Sequence, residues 1–556
     1  MKKRTLLTCG LAAALFAGCS SDDKLTVDDG TVSNGTGYVS LRIALPSTSS
    51  GMRADNQAND QYDEGVANEY KVNDVTLVFF NGDKEVLSTH KLAGFSETAT
   101  DNKDGITVEY TLATQKVSGD AEYVLVLLNK PAALETDVAT FDQLNKAIDC
   151  ADVTKLTGGS NDNFFMSNTT LWNVTTSKSQ TLVPITPQTT IAKAEEEAHR
   201  AIVYVERAVG KVELSHYAEP DTKWSGWTYT IPAGAAVYAE DKITINKWNV
   251  DLTNKKTYPV RKYNDDWSSI NGRNGKRMFS TGNAYASDGS WQRTYWAEDP
   301  NYNVDEPSDP ASRQLKDNTT FSPITTTKLY CPENTFDVLR MKQKNSTRVL
   351  LEATYRPNNI PDSEIGDGTW YLLGNSSTPK SSSTIIALAN EAIGGPSPVV
   401  KKLAFTKGVK LTAELQTTNF LKDGDTPVTD AELTLIKNAI KPSITTYEKG
   451  VCYYAVRIQH FGSYYTPWGS ETGAPTVGTD AFYNYTTTHA DNDKNYLGRY
   501  GIVRNNWYQL MLNSISAPGE PTIPTPADQP DDVTNYYISA TVKIMDWAVR
   551  KQSVDL

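Results

Sequence analysis

Short apolar or alternating runs, each bounded by turn residues, recur along this chain, and helical periods are few. No other feature of its 556 residues constrains the fold as strongly. Residues 37–46 (GYVSLRIALP) alternate strictly. Val39, Leu41, Ile43 and Leu45 fall on one face and Ser40, Arg42 and Ala44 on the other, which predicts one half-buried strand. Val75–Phe80 is wholly apolar and stops at Asn81-Gly82, a hairpin signal. Glu85–Leu92, Ile106–Leu112 and Tyr123–Leu128 follow, and Ala201–Ser215 (AIVYVERAVGKVELS) is a long apolar-rich strand that closes a first domain near residue 217. Trp227–Ile231, Lys242–Val250, Arg348–Tyr355, Val409–Glu414, Tyr453–His460 and Trp507–Ile515 continue the pattern. Helical spacing is confined to Thr140–Ile148 and Asp430–Ile440, while Ala192–Arg200 reads as a short helix or a solvated charged loop. The expected fold is all-β, with residues 252–330 as long insertions decorating the second domain.

Lys and Arg total 54 and Asp and Glu 66, a formal charge of −12. That balance argues against a nucleic-acid surface, because phosphate contacts need clustered cations. The N-terminus reads as an address. Lys2, Lys3 and Arg4 precede an apolar stretch from Leu6 to Ala17, and Ala17-Gly18 then precede Cys19. This is the pattern of a lipoprotein-type processing site, with 1–18 as signal peptide and Cys19 as the lipidated residue. The membrane is then reached only through the precursor's lipid. After residue 18 no apolar run approaches the roughly 20 residues of a membrane-spanning helix.

Two further segments stand out. The alternating strand runs into a polar stretch, from Ser47 to about Glu69, with Arg53-Ala54 inside it; exposed loops of this composition are where proteases cut. Near the other end, residues 517–535 carry Pro518, Pro521, Pro524, Pro526 and Pro530 and read as a semi-rigid extended linker. Beyond it, 536–556 begins with a second alternating face, Ile538, Ala540, Val542 and Ile544. Such a tail either folds back as the last strand of its own domain or reaches out to another partner. The units expected are thus 19–53, 54–217, 218–516, 517–535 and 536–556.

Nothing points to catalysis. His90, His199, His216, His460 and His489 form no spaced metal pair, and no nucleophile elbow, P-loop or zinc-protease motif occurs. Asp491-Asn492-Asp493-Lys494-Asn495 resembles the start of a calcium loop, but Tyr496 stands at the obligatory glycine and Ile502 at the closing glutamate. Beyond Cys9 and Cys19 only Cys150, Cys331 and Cys452 remain; they show no short zinc-ligand spacing and cannot all pair, so they make either one disulfide or, more commonly for such spacing, three free buried thiols. No catalytic residue, metal site or cofactor is expected.

Four segments, in this order and spacing, carry a resemblance. Val203–Val212 (VYVERAVGKV) is similar to the V-x-V-E-R-x-V-A-[KR] strand of the fimbrillin family, with Gly210 where alanine is usual. Val451–Ala455 (VCYYA) is similar to its L-Y-Y-A strand, and Val503–Tyr508 (VRNNWY) to its V-R-N-N-x-Y segment. Ile538–Leu556, with Trp547 and a terminal Val554-Asp555-Leu556, resembles its C-terminal tail. The chain thus resembles the type V pilins of oral and gut bacteria, in their short-fimbria (minor fimbrium) major-subunit branch.

The resemblance implies two tandem transthyretin-like β-sandwich domains and an extended C-terminal strand. It implies a precursor exported as an outer-membrane lipoprotein, in which 37–46 plugs the first domain's sheet. An Arg-specific protease would then cut between Arg53 and Ala54. The strand and lipid would leave, and the C-terminal strand of an identical subunit would enter head to tail. Anchor and tip fimbrial proteins, and a host or bacterial surface ligand, are the further partners implied. The matching faces, Val39, Leu41, Ile43 and Leu45 against Ile538, Ala540, Val542 and Ile544, suit plug and donor strands. The resemblance points to a shaft subunit of a cell-surface fimbrium. The alternative is a lipid-anchored glycan-binding protein that keeps Cys19 and uses its Trp and Tyr residues as sugar platforms.

Overall fold

The computed structural model describes residues 35–46, 66–92, 95–99, 106–217, 223–269, 279–284, 290–302, 313–314, 318–337, 340–460, 497–498, 500–528, 531 and 538–545. Strands dominate, helices are short, and the architecture is β-sandwich. The first eight strands in chain order are β1 (Thr36–Val39), β2 (Leu41–Pro46), β3 (Val75–Phe80), β4 (Val86–Leu92), β5 (Phe95–Ala99), β6 (Ile106–Leu112), β7 (Gln115–Ser118) and β8 (Tyr123–Leu128). One nine-stranded sheet runs β4, β3, β8, Met166–Asn168, Ala201–Arg207, β2, β6, β5, with Val183–Pro184 added at β8. The all-apolar β3 and β8 are buried on both faces, which is why they read as continuous hydrophobic runs instead of alternating ones. The Asn81-Gly82 turn joins β3 to β4 as its residues demand, with Asn81 Oδ1 accepting from the Asp83 and Glu85 amides.

The long run 201–216 is not one strand. It breaks at Ala208: Ala201–Arg207 belongs to the first sheet, whereas Val209–His216 pairs with Lys328–Pro332 and Trp507–Ile515. The change of partners therefore falls ahead of residue 217. A second apolar core forms between that sheet and another built on Lys242–Asp251, Arg348–Arg356 and Val451–Arg457.

Two features of the second half depart from the sequence reading. Residues 357–447 make a compact insertion with a small sheet, helices Ser382–Ile393 and Asp430–Ala439, and their own core around Ile385, Phe420, Ile436 and Ile444. Asp430–Ala439 was legible from its period, and Thr429 with Glu432 closes a capping box at its start. Ser382–Ile393 is a helix beyond the two expected from periodicity; Ser381 caps it and Gly394 ends it. The proline segment, for its part, is no free tether. Glu520 and Tyr453 exchange two backbone hydrogen bonds, Arg348 donates to the Pro524 carbonyl at 2.7 Å, and Lys342 and Lys344 hold Asp528 at 2.7 and 3.0 Å. Ala517 to Asp528 thus lies along the second half.

Gly210, the departure from the family pattern, has a packing reason. A Cβ at that position would collide with Cγ2 of the buried Ile502. Gly210→Ala should lower stability by about 1–3 kcal/mol through overpacking, and it should cost less in an Ile502→Ala background, which removes that Cγ2, in a denaturation midpoint series.

Candidate functional site

The alternating 37–46 segment is the most unusual element of the first half. Its alternation holds through β1 and β2, but the chain changes partners at Ser40. β1 pairs antiparallel with β7, and Tyr38 exchanges two 2.8 Å backbone bonds with Gln188. The one strand expected over 37–46 is therefore two. β2 then enters the interior of the sheet, parallel to Ala201–Arg207 on one flank and antiparallel to β6 on the other. Leu41 lies opposite Ala201 and Ile43 opposite Val203. On the other side Arg42 lies opposite Thr111, Ile43 opposite Tyr110, Ala44 opposite Glu109, and the Leu45 backbone opposite Val108.

Burial follows this placement. Val39 is 2% exposed, and Leu41, Ile43 and Ala44 are 0% exposed. Leu41 and Ile43 together remove enough apolar surface to stabilise the sheet by about 3–6 kcal/mol, before ordering costs. The second face is not solvated as alternation alone suggests, since both Ser40 and Ala44 are buried. Only Arg42 keeps partial exposure. It forms ion pairs with Glu109 on β6 and, at 2.8 Å, with the exposed Glu197. Without β2 the sheet would split between Ala201–Arg207 and β6, leaving two facing ladders of unpaired backbone groups.

The other sequence-singled residues fall elsewhere. Cys19, Arg53 and Ala54 lie outside the described residues. Ile538–Met545 lies on the second half, antiparallel to Trp507–Ile515, with Ile538 opposite Ile515, Ala540 opposite Leu512, Val542 opposite Leu510 and Ile544 opposite Tyr508. In this single chain the tail is thus folded back onto its own sheet, at its edge. Cys150, Cys331 and Cys452 are buried free thiols, and no cluster of metal-binding side chains occurs among the described residues.

A second set of residues was invisible in the sequence. The chain leaves the 47–65 stretch at Val66 and turns through Ala67–Tyr70, and Glu69 is 0% exposed. Its carboxylate accepts from Lys211 Nζ at 2.7 and 3.0 Å and from the Tyr330 hydroxyl, while its carbonyl accepts from Arg207 Nε. Arg207 also donates to Asn505 Oδ1 at 3.0 Å. Beside it Arg261 grips Glu206 with two 2.8 Å bonds, and Arg504 binds Glu333 at 2.8 Å. The two motifs that look unrelated in sequence, Glu206-Arg207 and Arg504-Asn505-Asn506, therefore meet between the halves. Burial alone would raise the Glu69 carboxyl, but Lys211, Tyr330 and Arg207 outweigh it and hold the group below its ordinary value of 4.5. Burial pushes Lys211 down to about 8, against the attraction of Glu69.

Residues 478–553 match the family model described as major fimbrial subunit protein type IV, fimbrillin, C-terminal. That span contains both Trp507–Ile515 and the tail strand paired with it. The chain thus resembles the fimbrillin family, whose model describes a structural subunit. No curated protein matches the chain. Similar solved structures include a candidate cell adhesion protein from Parabacteroides distasonis, 13% identical, covering 93% of this chain and 98% of that one with a TM-score of 0.38. A fimbrilin from Porphyromonas gingivalis is 12% identical, with 93% and 99% covered and a TM-score of 0.31. The tip fimbrial protein of Porphyromonas gingivalis, with a C-terminal truncation, is 10% identical, with 92% and 100% covered and a TM-score of 0.34.

Replacing Glu69 by Gln should cost about 3–5 kcal/mol, because it strands Lys211 in a buried site without its counter-charge. The carboxyl's depressed value also sets a pH dependence. The unfolded chain takes up this proton first, so the stability that Glu69 contributes is complete above its ordinary value of 4.5 and fades as pH falls through the folded value. Urea titrations across that acid range should show a shallower pH slope for Glu69→Gln than for the wild type.

Proposed function

We propose that this chain is the structural shaft subunit of a cell-surface fimbrium, assembled by protease-activated β-strand exchange and supporting adhesion. One observation carries the reading. β2 fills an interior position of the first sheet, yet its only covalent tie to the rest of the subunit is the 47–65 stretch that contains Arg53. A cut between Arg53 and Ala54 would turn a permanent sheet member into a removable one. While the tie is intact, no strand from another molecule competes, because the tethered strand acts at a far higher effective concentration. After the cut, dissociation is irreversible and the gap accepts another strand.

The tail supplies a matching donor. Ile538, Ala540, Val542 and Ile544 repeat the apolar alternation of β2, and the fimbrillin match covers this strand. Its place at the edge beside Trp507–Ile515 is a parking position from which it leaves by giving up one ladder. Because Ala517–Asp528 is held along the second half and the buried Asp531 donates its amide to the Met341 carbonyl, the reach comes from residues 532–537, about 20 Å at about 3.3 Å per residue. A donor that always enters the next molecule makes a head-to-tail contact that does not close, hence a filament. Cys19 would carry the precursor's lipid to the outer membrane, and anchor and tip fimbrial proteins would end the filament.

The test uses residues 20–556 with an Arg-specific protease, beside Arg53→Ala and a version ending at residue 535, followed by native gel and electron microscopy. Cleavage at Arg53 with ladders or fibres in the wild type alone is the expected result. A folded chain that resists cleavage there would favour the lipid-anchored glycan binder.

A further inference from the structure

The gap that β2 fills is not uniformly apolar, and its pattern selects how a second strand can sit in it. Resting on the exchange reading above, we propose that an incoming C-terminal strand runs in the direction of β2 and seats Lys543 in the place of Arg42. Val542 then replaces Leu41, and Ile544 replaces Ile43. This makes Lys543 a register-setting residue of the assembly.

Three features of the gap lead there. The Leu41 and Ile43 places are 0% exposed and demand branched aliphatics. The Arg42 place is partly open and faces Glu109, a carboxylate whose side chain is only 12% exposed. The Ala44 place is fully buried, directly opposite Glu109 and beside Tyr204. Matching the two faces from their first residues, Ile538 at Val39, fails at all three. It puts Ala540 into the Leu41 place and opens a cavity. It puts Thr541 at the Arg42 place and leaves Glu109 without a cation. It also forces the Lys543 stem into the buried Ala44 place.

Sliding the donor by two residues removes all three conflicts. The apolar face is kept, because the side-chain period of a strand is two. Val542 and Ile544 fill the two buried places, Thr541 replaces Ser40, and Ala540 replaces Val39. Lys543, the only basic residue between Ile538 and Met545, comes beside Glu109 and Glu197 as Arg42 does. Two places change size within the slot: Val39 narrows to Ala540, and the Ala44 place takes Met545, where the donor strand ends and a flexible side chain can bend. Ile538 does not follow β1, because a Cβ at the Gly37 place would collide with Pro187, so the donor occupies the slot from Ala540 onward. A slide the other way, with Ile538 at Leu41, puts Ala540 in the Ile43 place and Ser539 opposite the acid.

Disulfide capture reads the register. A full-length acceptor with Thr111→Cys is cleaved by the Arg-specific protease. It is mixed with an uncleaved Arg53→Ala donor carrying either Lys543→Cys or Thr541→Cys. Thr111 lies opposite Arg42, so a crosslinked dimer should form with the cysteine at 543 and not with that at 541. Capture at 541 would overturn the register while leaving exchange intact, and capture at neither would overturn both register and direction if cleaved wild-type chains still polymerise. Cleaved wild-type chains that fail to polymerise would remove the exchange reading itself. In a parallel arm without added cysteines, donor Lys543→Glu should slow dimer formation with cleaved acceptor on a native gel roughly two- to fivefold, the scale of a cross-strand charge pair, and acceptor Glu109→Lys should restore it. Rates indifferent to both charges would also overturn the assignment.

Discussion

Everything in the first half depends on the completeness of one hydrogen-bonded ladder. Ala201–Arg207 and β6 are distant in sequence and do not pair with each other; each pairs with β2. A sheet interior cannot leave backbone N–H and C=O groups facing an empty slot, so that position must always hold a strand. β2 meets the need with residues that precede the 47–65 stretch in the chain. In the strand exchange we propose, the same backbone requirement would make the slot receptive once β2 had left it.

The buried charges between the halves answer a different need. Val209–His216 continues directly from Ala201–Arg207, so the wall of the slot and the second sheet are one stretch of chain interrupted at Ala208. Arg207, Lys211 and Glu69 fasten that hinge point, and Glu69 ties in the residues that follow the 47–65 stretch. Such pairs add little net stability compared with a well-packed apolar junction, because desolvation offsets much of the attraction. What they supply is a fixed geometry, since an ion pair with 0% exposure tolerates few alternative placements.

Much of this was legible in the sequence. The alternation of 37–46 marked Val39, Leu41 and Ile43 as buried but showed neither the change of partners at Ser40 nor the burial of Ser40 and Ala44, whereas the Asn81-Gly82 turn and the helix at 430–439 followed from local chemistry. What periodicity could not show was pairing. Nothing local says that β2 lies between Ala201–Arg207 and β6, or that Ile538–Met545 lies against Trp507–Ile515, because strand partners are set by the whole core. The break at Ala208 was hidden because both flanking strands are apolar. Glu69 gave no signal at all: a glutamate closing a polar stretch reads as solvated, and only its meeting with Lys211 and Tyr330 makes it a buried group.

The flanking of β2 on both sides has a mechanical consequence. Pulling a strand along its own axis, while ladders hold it left and right, loads all of its rungs in shear at once. Peeling it from a single edge would break them one after another. The tail's present seat, with one neighbour only, is of the second kind. A strand that moved from that edge into the slot would pass from a zipper to a shear clamp, and a fibre built of such joints would stretch elsewhere before it parted there.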